Sequence, residues 1–376
     1  MTGAEARRLR IGVNALYLIP GGVGGTEIYL RSLLGALAEI DRNNRYFVFM
    51  NRETGAELVP AGKNWTAVPL DVRAANRPAR ILCEQTTLPL EARRLALDVL
   101  FNPGFTAPIF GCCPNVTVFH DLQHKRHPEN FRWFDLPFWR ILLYASAHRS
   151  SHLLADSEAT RDDLMRFYGL APGRITVAPL GVDPVFFGIA ARRQPEPYFL
   201  AVSTLHPHKN LDRLMRAFAE FHALRPDFRL TIAGLRGFQA ETLESLRAAL
   251  GLEDSLRFTG WVPREELYDL FARAYAFFYP STFEGFGLPV LEALAAGVPT
   301  ACSNIQPVSG IAGDAALQFD PSDTAAILDA MKRLSCDETL RSRLASLGPA
   351  QAARFSWQAT ARLTLNAIRA TTTAAR

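Results

Sequence analysis

Ala276-Phe277-Phe278-Tyr279-Pro280-Ser281-Thr282-Phe283-Glu284-Gly285-Phe286-Gly287-Leu288-Pro289, continuing through Glu292 and Ala293 to Gly297-Val298-Pro299, is the stretch whose reading decides the fold. Ala276 to Pro280 is an apolar run, the pattern of a parallel strand buried on both faces. Pro289 suits the first turn of a helix and Gly297 its C′ position. The stretch therefore reads as strand, glycine-flanked loop and short helix, with open N-terminal amides at the carboxyl end of a sheet. Open α/β folds hold anionic ligands at that place.

Glu284 falls in the loop before those amides and Glu292 about one turn inside the helix, with seven residues between them. A carboxylate beside a phosphate site repels the phosphate, so the pair points to something else, and adjacent sugar hydroxyls are strong donors to a carboxylate. The spacing places one glutamate at a hexose and the other at a ribose, with a diphosphate on the amides between. Taken singly, Glu284 is a solvated loop residue and Glu292 an acid favoured by the helix dipole. The intervening Gly285, Gly287 and Pro289 favour the nucleotide-sugar reading.

With these residues in place, Ser281 to Pro299 resembles the E-x7-E signature of retaining glycosyltransferases of family 4, the "glycosyl transferases group 1". The resemblance runs from Gly21-Gly22 to Phe355-Ser356-Trp357 and is strongest in the C-terminal half. It implies the GT-B fold: α/β, two Rossmann-like domains with parallel sheets facing across a cleft, and a C-terminal helix crossing back to the first domain.

Composition agrees with two ordinary globular domains. The chain has 376 residues, 48% of them apolar and 21% charged, beyond the size of one common core. A net charge of +4 suits an anionic donor or anionic lipid and is too diffuse for nucleic acid. Five cysteines, Cys83, Cys112, Cys113, Cys302 and Cys336, make an odd set without C-x-x-C, which fits a reduced cytoplasmic compartment. Met1 to Arg10 is polar and charged, so no signal peptide is expected, and no apolar run reaches spanning length.

Strand and helix patterns alternate almost throughout, as in βαβ units. In the first half, strands are expected at residues 9–14, 46–50, 98–102, 115–120, 152–157 and 174–179, and helices at about 26–40 and 134–148. The stretch 187–197 contains Arg192-Arg193-Gln194-Pro195-Glu196-Pro197, a linker composition that puts the domain boundary near 190. Strands resume at 198–202, 229–233, 256–260, 274–280 and 299–303. The expected domains are 1–190, the acceptor side, with the helix 356–376 packing on it, and 191–355, the nucleotide-sugar side.

Other motifs supply further candidates. Gly21-Gly22-Val23-Gly24-Gly25 joins the first strand to the first helix, where glycines admit close backbone approach. Its spacing departs from G-x-G-x-x-G and no acidic ribose partner follows, which argues against dinucleotide binding. A ligand-facing loop and a merely flexible one both remain open; the resemblance places Gly22 and Gly24 at the donor diphosphate. His120 ends a strand-like run, with His124 and His127 nearby on a segment lacking an assignable carboxylate set, so a metal is not expected. The resemblance makes His120 the catalytic cleft histidine. Ser203-Thr204-Leu205-His206-Pro207-His208-Lys209 opens the second half, and Lys209 is placed to neutralise a departing diphosphate. Relatives carry an arginine where Thr204 or His208 stands here; this chain has neither, so His208, Arg236 or backbone amides are the candidates to replace it.

The reading is thus a retaining hexosyltransferase with catalytic His120, Lys209 and Glu284. Its donor site comprises Gly22, Gly24, Thr204, His208, Lys209, Glu284, Gly285, Phe286, Gly287, Leu288 and Glu292. D-x-D occurs nowhere in the sequence, so no metal or other cofactor is expected. By family analogy the donor is GDP-mannose and the acceptor a glycan or lipid-linked sugar of bacterial surface polysaccharide. The expected location is cytoplasmic with peripheral inner-membrane contact through Arg126, Arg132, Trp133, Phe134, Phe138, Trp139 and Arg140. The competing reading makes Phe134, Phe138, Ile141 and Leu142 the buried face of a helix. Alternatives to transfer are a nucleotide-sugar epimerase and an inert sugar-nucleotide-binding subunit.

Overall fold

The computed structural model describes residues 7–374 apart from Val23. Among these, the apolar runs form two all-parallel sheets. The first contains β1 (Arg10–Asn14), β2 (Arg45–Met50), β3 (Trp65–Pro69), β4 (Val99–Asn102), β5 (Asn115–Phe119), β6 (His152–Ala155) and β7 (Ile175–Val177). The second contains β8 (Tyr198–Val202), β9 (Arg229–Ala233), β10 (Leu256–Gly260), β11 (Ala276–Tyr279), β12 (Thr300–Ser303) and β13 (Ala316–Phe319). Helices follow most strands, as right-handed crossovers require.

Strand order is β3-β2-β1-β4-β5-β6-β7 in the first sheet and β10-β9-β8-β11-β12-β13 in the second. Each is doubly wound, with chain order reversing between β1 and β4 and between β8 and β11. Ligands of open α/β sheets bind outside the carboxyl ends of the strands at such reversals. The loops leaving β8 and β11 carry Thr204–Lys209 and Ser281–Gly287, so adjacent strands bring together segments about 75 residues apart.

The sheets lie in two compact units: residues up to Gly181 with the tail from Trp357, and Val182–Ser356. The expected boundary near 190 is corrected to Gly181/Val182. The stretch expected as linker begins as a helix, Val185–Ala190, whose Phe186 and Ile189 are fully buried. Phe186 packs edge-on to Tyr268 and Phe271, and Arg193 donates to the Gly297 and Ala274 carbonyls. Apolar burial and these hydrogen bonds bind the segment to the second unit. The tail forms the helix Trp357–Ala374, packed on the helix Gly25–Ile40 of the first unit. Thr360 Oγ1 donates to the Pro179 carbonyl at 2.6 Å and Gln358 Nε2 to Glu39 Oε2 at 2.9 Å. Among the described residues, no helix is long and apolar enough to cross a membrane.

Candidate active site

In the second unit, the deciding stretch folds as strand β11, a loop from Pro280 and the helix Leu288–Ala295. Gly287 caps that helix with φ +120°, a value that side chains rarely adopt. The helix ends in a Schellman motif: the Gly297 amide donates to Leu294 and the Val298 amide to Ala293, each at 3.0 Å, with Gly297 at φ +63°. Phe286 and Leu288 are buried, with Phe286 packed edge-on to Phe355. Their side chains anchor the loop, so what they present to a ligand is backbone.

The loops after β8 and β11 are tied together. The Thr282 amide donates to the His208 carbonyl at 2.8 Å, and Asn210 Nδ2 to the Pro280 carbonyl at 3.0 Å. Across this junction Lys209 Nζ donates to Glu284 Oε1 at 2.6 Å, and the Tyr279 hydroxyl donates to the same oxygen at 2.6 Å. Side-chain exposure is only 14% for Lys209 and 10% for Glu284. Burial alone raises the Glu284 carboxyl; Lys209, His208 and the two donors reverse that and hold it below its ordinary value. Both donors converge on Oε1, and among the described residues Oε2 accepts no hydrogen bond. The site therefore offers a charged carboxylate with one free oxygen beside an ammonium and helix amides.

Glu292, the other acid of the pair, is buried within the helix and accepts from Arg264 Nη1 at 3.1 Å. Burial pushes its carboxyl up to about 7 despite that arginine. Arg264 Nη2 also donates to Asp183 Oδ2 at 3.2 Å, and Tyr268 OH donates to the same oxygen at 2.6 Å. Tyr279, Arg264, Asp183 and Tyr268 were not foreseen from sequence. Tyr279 stood in view before Pro280, but only the fold aims its hydroxyl at Glu284; the other three are distant in the chain and match no motif.

His120, Gly22 and Gly24 belong to the first unit. His120 is buried at the carboxyl end of β5, with Nδ1 2.7 Å from Asp156 Oδ2 and Nε2 2.9 Å from the Pro103 carbonyl. A carbonyl only accepts, so Nε2 carries a proton, and the carboxylate favours one on Nδ1 as well. Burial depresses the imidazole, and Asp156 more than offsets it, leaving His120 above its ordinary value. The other histidines take separate partners: His124 Nε2 meets the Tyr168 hydroxyl at 2.7 Å and His127 Nδ1 meets Glu129 at 2.9 Å. In the glycine loop, the Gly21 amide donates to Glu27 Oε2 at 2.7 Å. Gly24 caps the first helix with φ +57° and open space on the side where a Cβ would stand. Val23, between them, lies outside the described residues.

The segment ending in the helix Leu136–Arg149 contradicts the buried-face reading of the aromatic residues. Of the four residues assigned to a buried face, only Leu142 is buried; Phe134, Phe138 and Ile141 are 55%, 49% and 70% exposed. Trp133 is 84% exposed, and Arg132 lies over the Phe134 ring. Trp139 is half-buried under Arg77, and Arg126 pairs with Asp163.

Comparisons with known proteins fit this geometry. Residues 184–350 match the family described as "Glycosyl transferases group 1" and residues 23–186 that described as "Glycosyltransferase Family 4". O-antigen chain mannosyltransferase B of Escherichia coli is 31% identical over 265 residues, covering 68% of this chain and 70% of that protein. O-antigen chain mannosyltransferase RfbU of Salmonella typhimurium is 30% identical over 219 residues, covering 58% and 60%. Sucrose-phosphate synthase from Thermosynechococcus elongatus has a similar fold, with TM-score 0.80, 19% identity and coverage of 98% of this chain and 100% of that one. Anabaena HepE, solved with UDP and glucose, gives TM-score 0.73 at 18% identity, over 96% and 99%. The chain belongs to the group 1, family 4 glycosyltransferases and is an enzyme of that class with the GT-B fold.

Proposed function

We propose that this enzyme moves a mannosyl group from GDP-mannose, with retention at the sugar carbon and without a metal ion, to a glycan or lipid-linked acceptor in surface polysaccharide synthesis. The observation that carries the reading is the buried Lys209–Glu284 pair beside the Gly287-capped helix, at the β8/β11 reversal. A diphosphate on the Gly287 and Leu288 amides meets Lys209, and the free Glu284 oxygen accepts a hydroxyl of the transferred sugar. Gly285 on the β11 loop and Thr204 and His208 on the β8 loop are assigned to the donor, and Glu292 receives the ribose. Mannose is supported by the relatives named as O-antigen mannosyltransferases.

As the bond from the sugar carbon to the diphosphate breaks, charge grows on the leaving oxygen, where Lys209 and the amides oppose it. The acceptor oxygen bonds to that carbon from the same face, and its proton passes to the diphosphate. His120 has both ring nitrogens engaged, which supports the diphosphate as proton acceptor and gives His120 the role of a brace between Asp156 and the Pro103 carbonyl. Metal independence rests on Lys209 in the role that a chelated cation takes elsewhere, and on a sequence without D-x-D.

The exposed Trp133, Phe134, Phe138 and Ile141, with Arg132 and Arg140 among them, support peripheral contact with an anionic leaflet, where a lipid-linked acceptor resides. A thermal-shift screen of GDP, UDP and their sugars tests the donor, because a ligand at 100 times its Kd stabilises by about 2.7 kcal/mol. GDP-mannose should stabilise and yield an α-linked product with acceptor present; response to uridine donors alone would reassign the base, and response to none would sink the reading. Donor incubated alone separates transfer from epimerisation.

A further inference from the structure

Glu292 presents a physical difficulty. A carboxylate 3% exposed must be charged to accept ribose hydroxyls well, yet burial opposes the charge. The structure places Arg264 against it. This arginine is the first residue of the helix Arg264–Arg273, and its Nη1 donates to Glu292 Oε1 at 3.1 Å. Among the described residues Oε2 accepts no hydrogen bond, so the arginine holds one oxygen and leaves the other for a ligand. Arg264 is itself fixed: Nη2 donates to Asp183 Oδ2 at 3.2 Å, Nε to the Tyr268 hydroxyl at 3.2 Å, and the guanidinium lies over the Phe186 and Tyr268 rings.

We propose that Arg264, held by Asp183 and Tyr268, is the positioning residue of the nucleotide site: it supplies the charge that lets buried Glu292 serve as a carboxylate, and so sets the pH range over which the nucleotide is bound. The inference rests on the assignment of Glu292 to the ribose made above. Burial raises the Glu292 carboxyl to about 7 and Arg264 is the main opposing influence, so loss of the arginine moves the titration higher. Asp183 acts in the same direction as burial; of the strands packed against the Glu292 helix, β11 carries Tyr279 and β12 the buried Cys302, both pushed up by burial and so neutral over the range tested. The adjoining helices Val185–Ala190 and Val308–Ala312 carry no ionisable residue. In the packed helix Glu338–Ala352, Arg341 turns to the Leu334 and Ser335 carbonyls, while Glu338 and Arg343 are exposed. Arg264 is therefore the cation that compensates Glu292.

The test is calorimetric titration of the full chain with GDP and with UDP from pH 5.5 to 9.0, for wild type, Arg264→Gln and Arg264→Lys. The ratio of variant to wild-type Kd at each pH cancels the titration of the ligand's own phosphate. Arg264→Gln should bind the preferred nucleotide at least tenfold more weakly at pH 7, with the deficit shrinking towards pH 9. Arg264→Lys should keep the charge but lose the fork that reaches Glu292 and Asp183 together, and so fall between. Should Arg264→Gln not fold, the lysine variant still reads the shift in pH dependence. A deficit equal at every pH, or none, would overturn the inference and leave the ribose site standing. Wild type binding neither nucleotide would overturn the donor-site reading and this inference with it.

Discussion

Lys209→Met separates the electrostatics of the site from its chemistry. In the wild type, Lys209 and Glu284 compensate each other at 2.6 Å with 14% and 10% of their side-chain surface exposed. Removing one partner of a buried pair costs about 3–5 kcal/mol, because the other stays charged and unpaired. Tyr279 still donates to Glu284, and a tenth of the carboxylate still meets water, so the lower end applies, about 3 kcal/mol. For a unit of this size that is a fall in Tm of roughly 6–12 °C. The pH dependence gives the sign. Wild-type Glu284 lies below its ordinary value, so its contribution is constant at neutral pH and is lost only on acidification below about 4.5. Without Lys209 burial dominates, the carboxyl rises above its ordinary value, and the variant weakens as pH rises. Calorimetric Tm should therefore show a larger deficit at pH 8 than at pH 5.5, and Lys209→Met/Glu284→Gln should recover most of it, with a coupling of about 2 kcal/mol. Donor turnover should be lost in both variants. Equal deficits at the two pH values, or no recovery in the double variant, would refute the compensation argument; retained turnover would refute the role of Lys209.

Glu292→Gln should stabilise the unliganded protein at pH 8, because the wild-type carboxyl is pushed up to about 7 and its stabilising protonated form is lost as pH rises through that value. A shift of that size is worth about 3 kcal/mol, to be read as a urea-midpoint difference that closes towards pH 4.5, while nucleotide affinity falls by about 1.5–3 kcal/mol. A difference independent of pH would count against a buried titrating carboxylate. Transfer should persist in excess EDTA; loss restored by Mg²⁺ or Mn²⁺ would overturn metal independence. The protein should float with anionic but not neutral vesicles, more strongly at low salt, and Trp133→Ser/Ile141→Ser should reduce the effect; flotation unaffected by anionic lipid would end the membrane assignment.

Strand β11, the glycine-capped loop and the helix behind it were legible because each is local. An apolar run, a proline in the first helical turn and a glycine at C′ act within a few residues of themselves. The same holds for most strands, whose burial on both faces leaves unbroken apolar runs. The edge strands β3 and β13 escaped notice: each lies at the border of its sheet, and Trp65–Pro69 keeps polar and exposed positions that blur the pattern. The linker expectation failed because polar, proline-rich composition after Phe187 does not reveal that Phe186 and Ile189 are buried.

The sequence by itself determined the parallel α/β class and the two-domain size, and it put forward Glu284 and Glu292, from their spacing within one loop and helix, and Lys209, from its turn after a strand, as the candidate site residues. Only the tertiary structure decided their electrostatic partners. Lys209 meets Glu284 because β8 and β11 are neighbours in the sheet, and Arg264 meets Glu292 and Asp183 across 28 and 81 residues of chain. It also decided that His120 is held between Asp156 and Pro103, and that Phe134, Phe138 and Ile141 face outward. The physical reason is that charge compensation and burial depend on distances in space, which the order of residues along the chain does not contain.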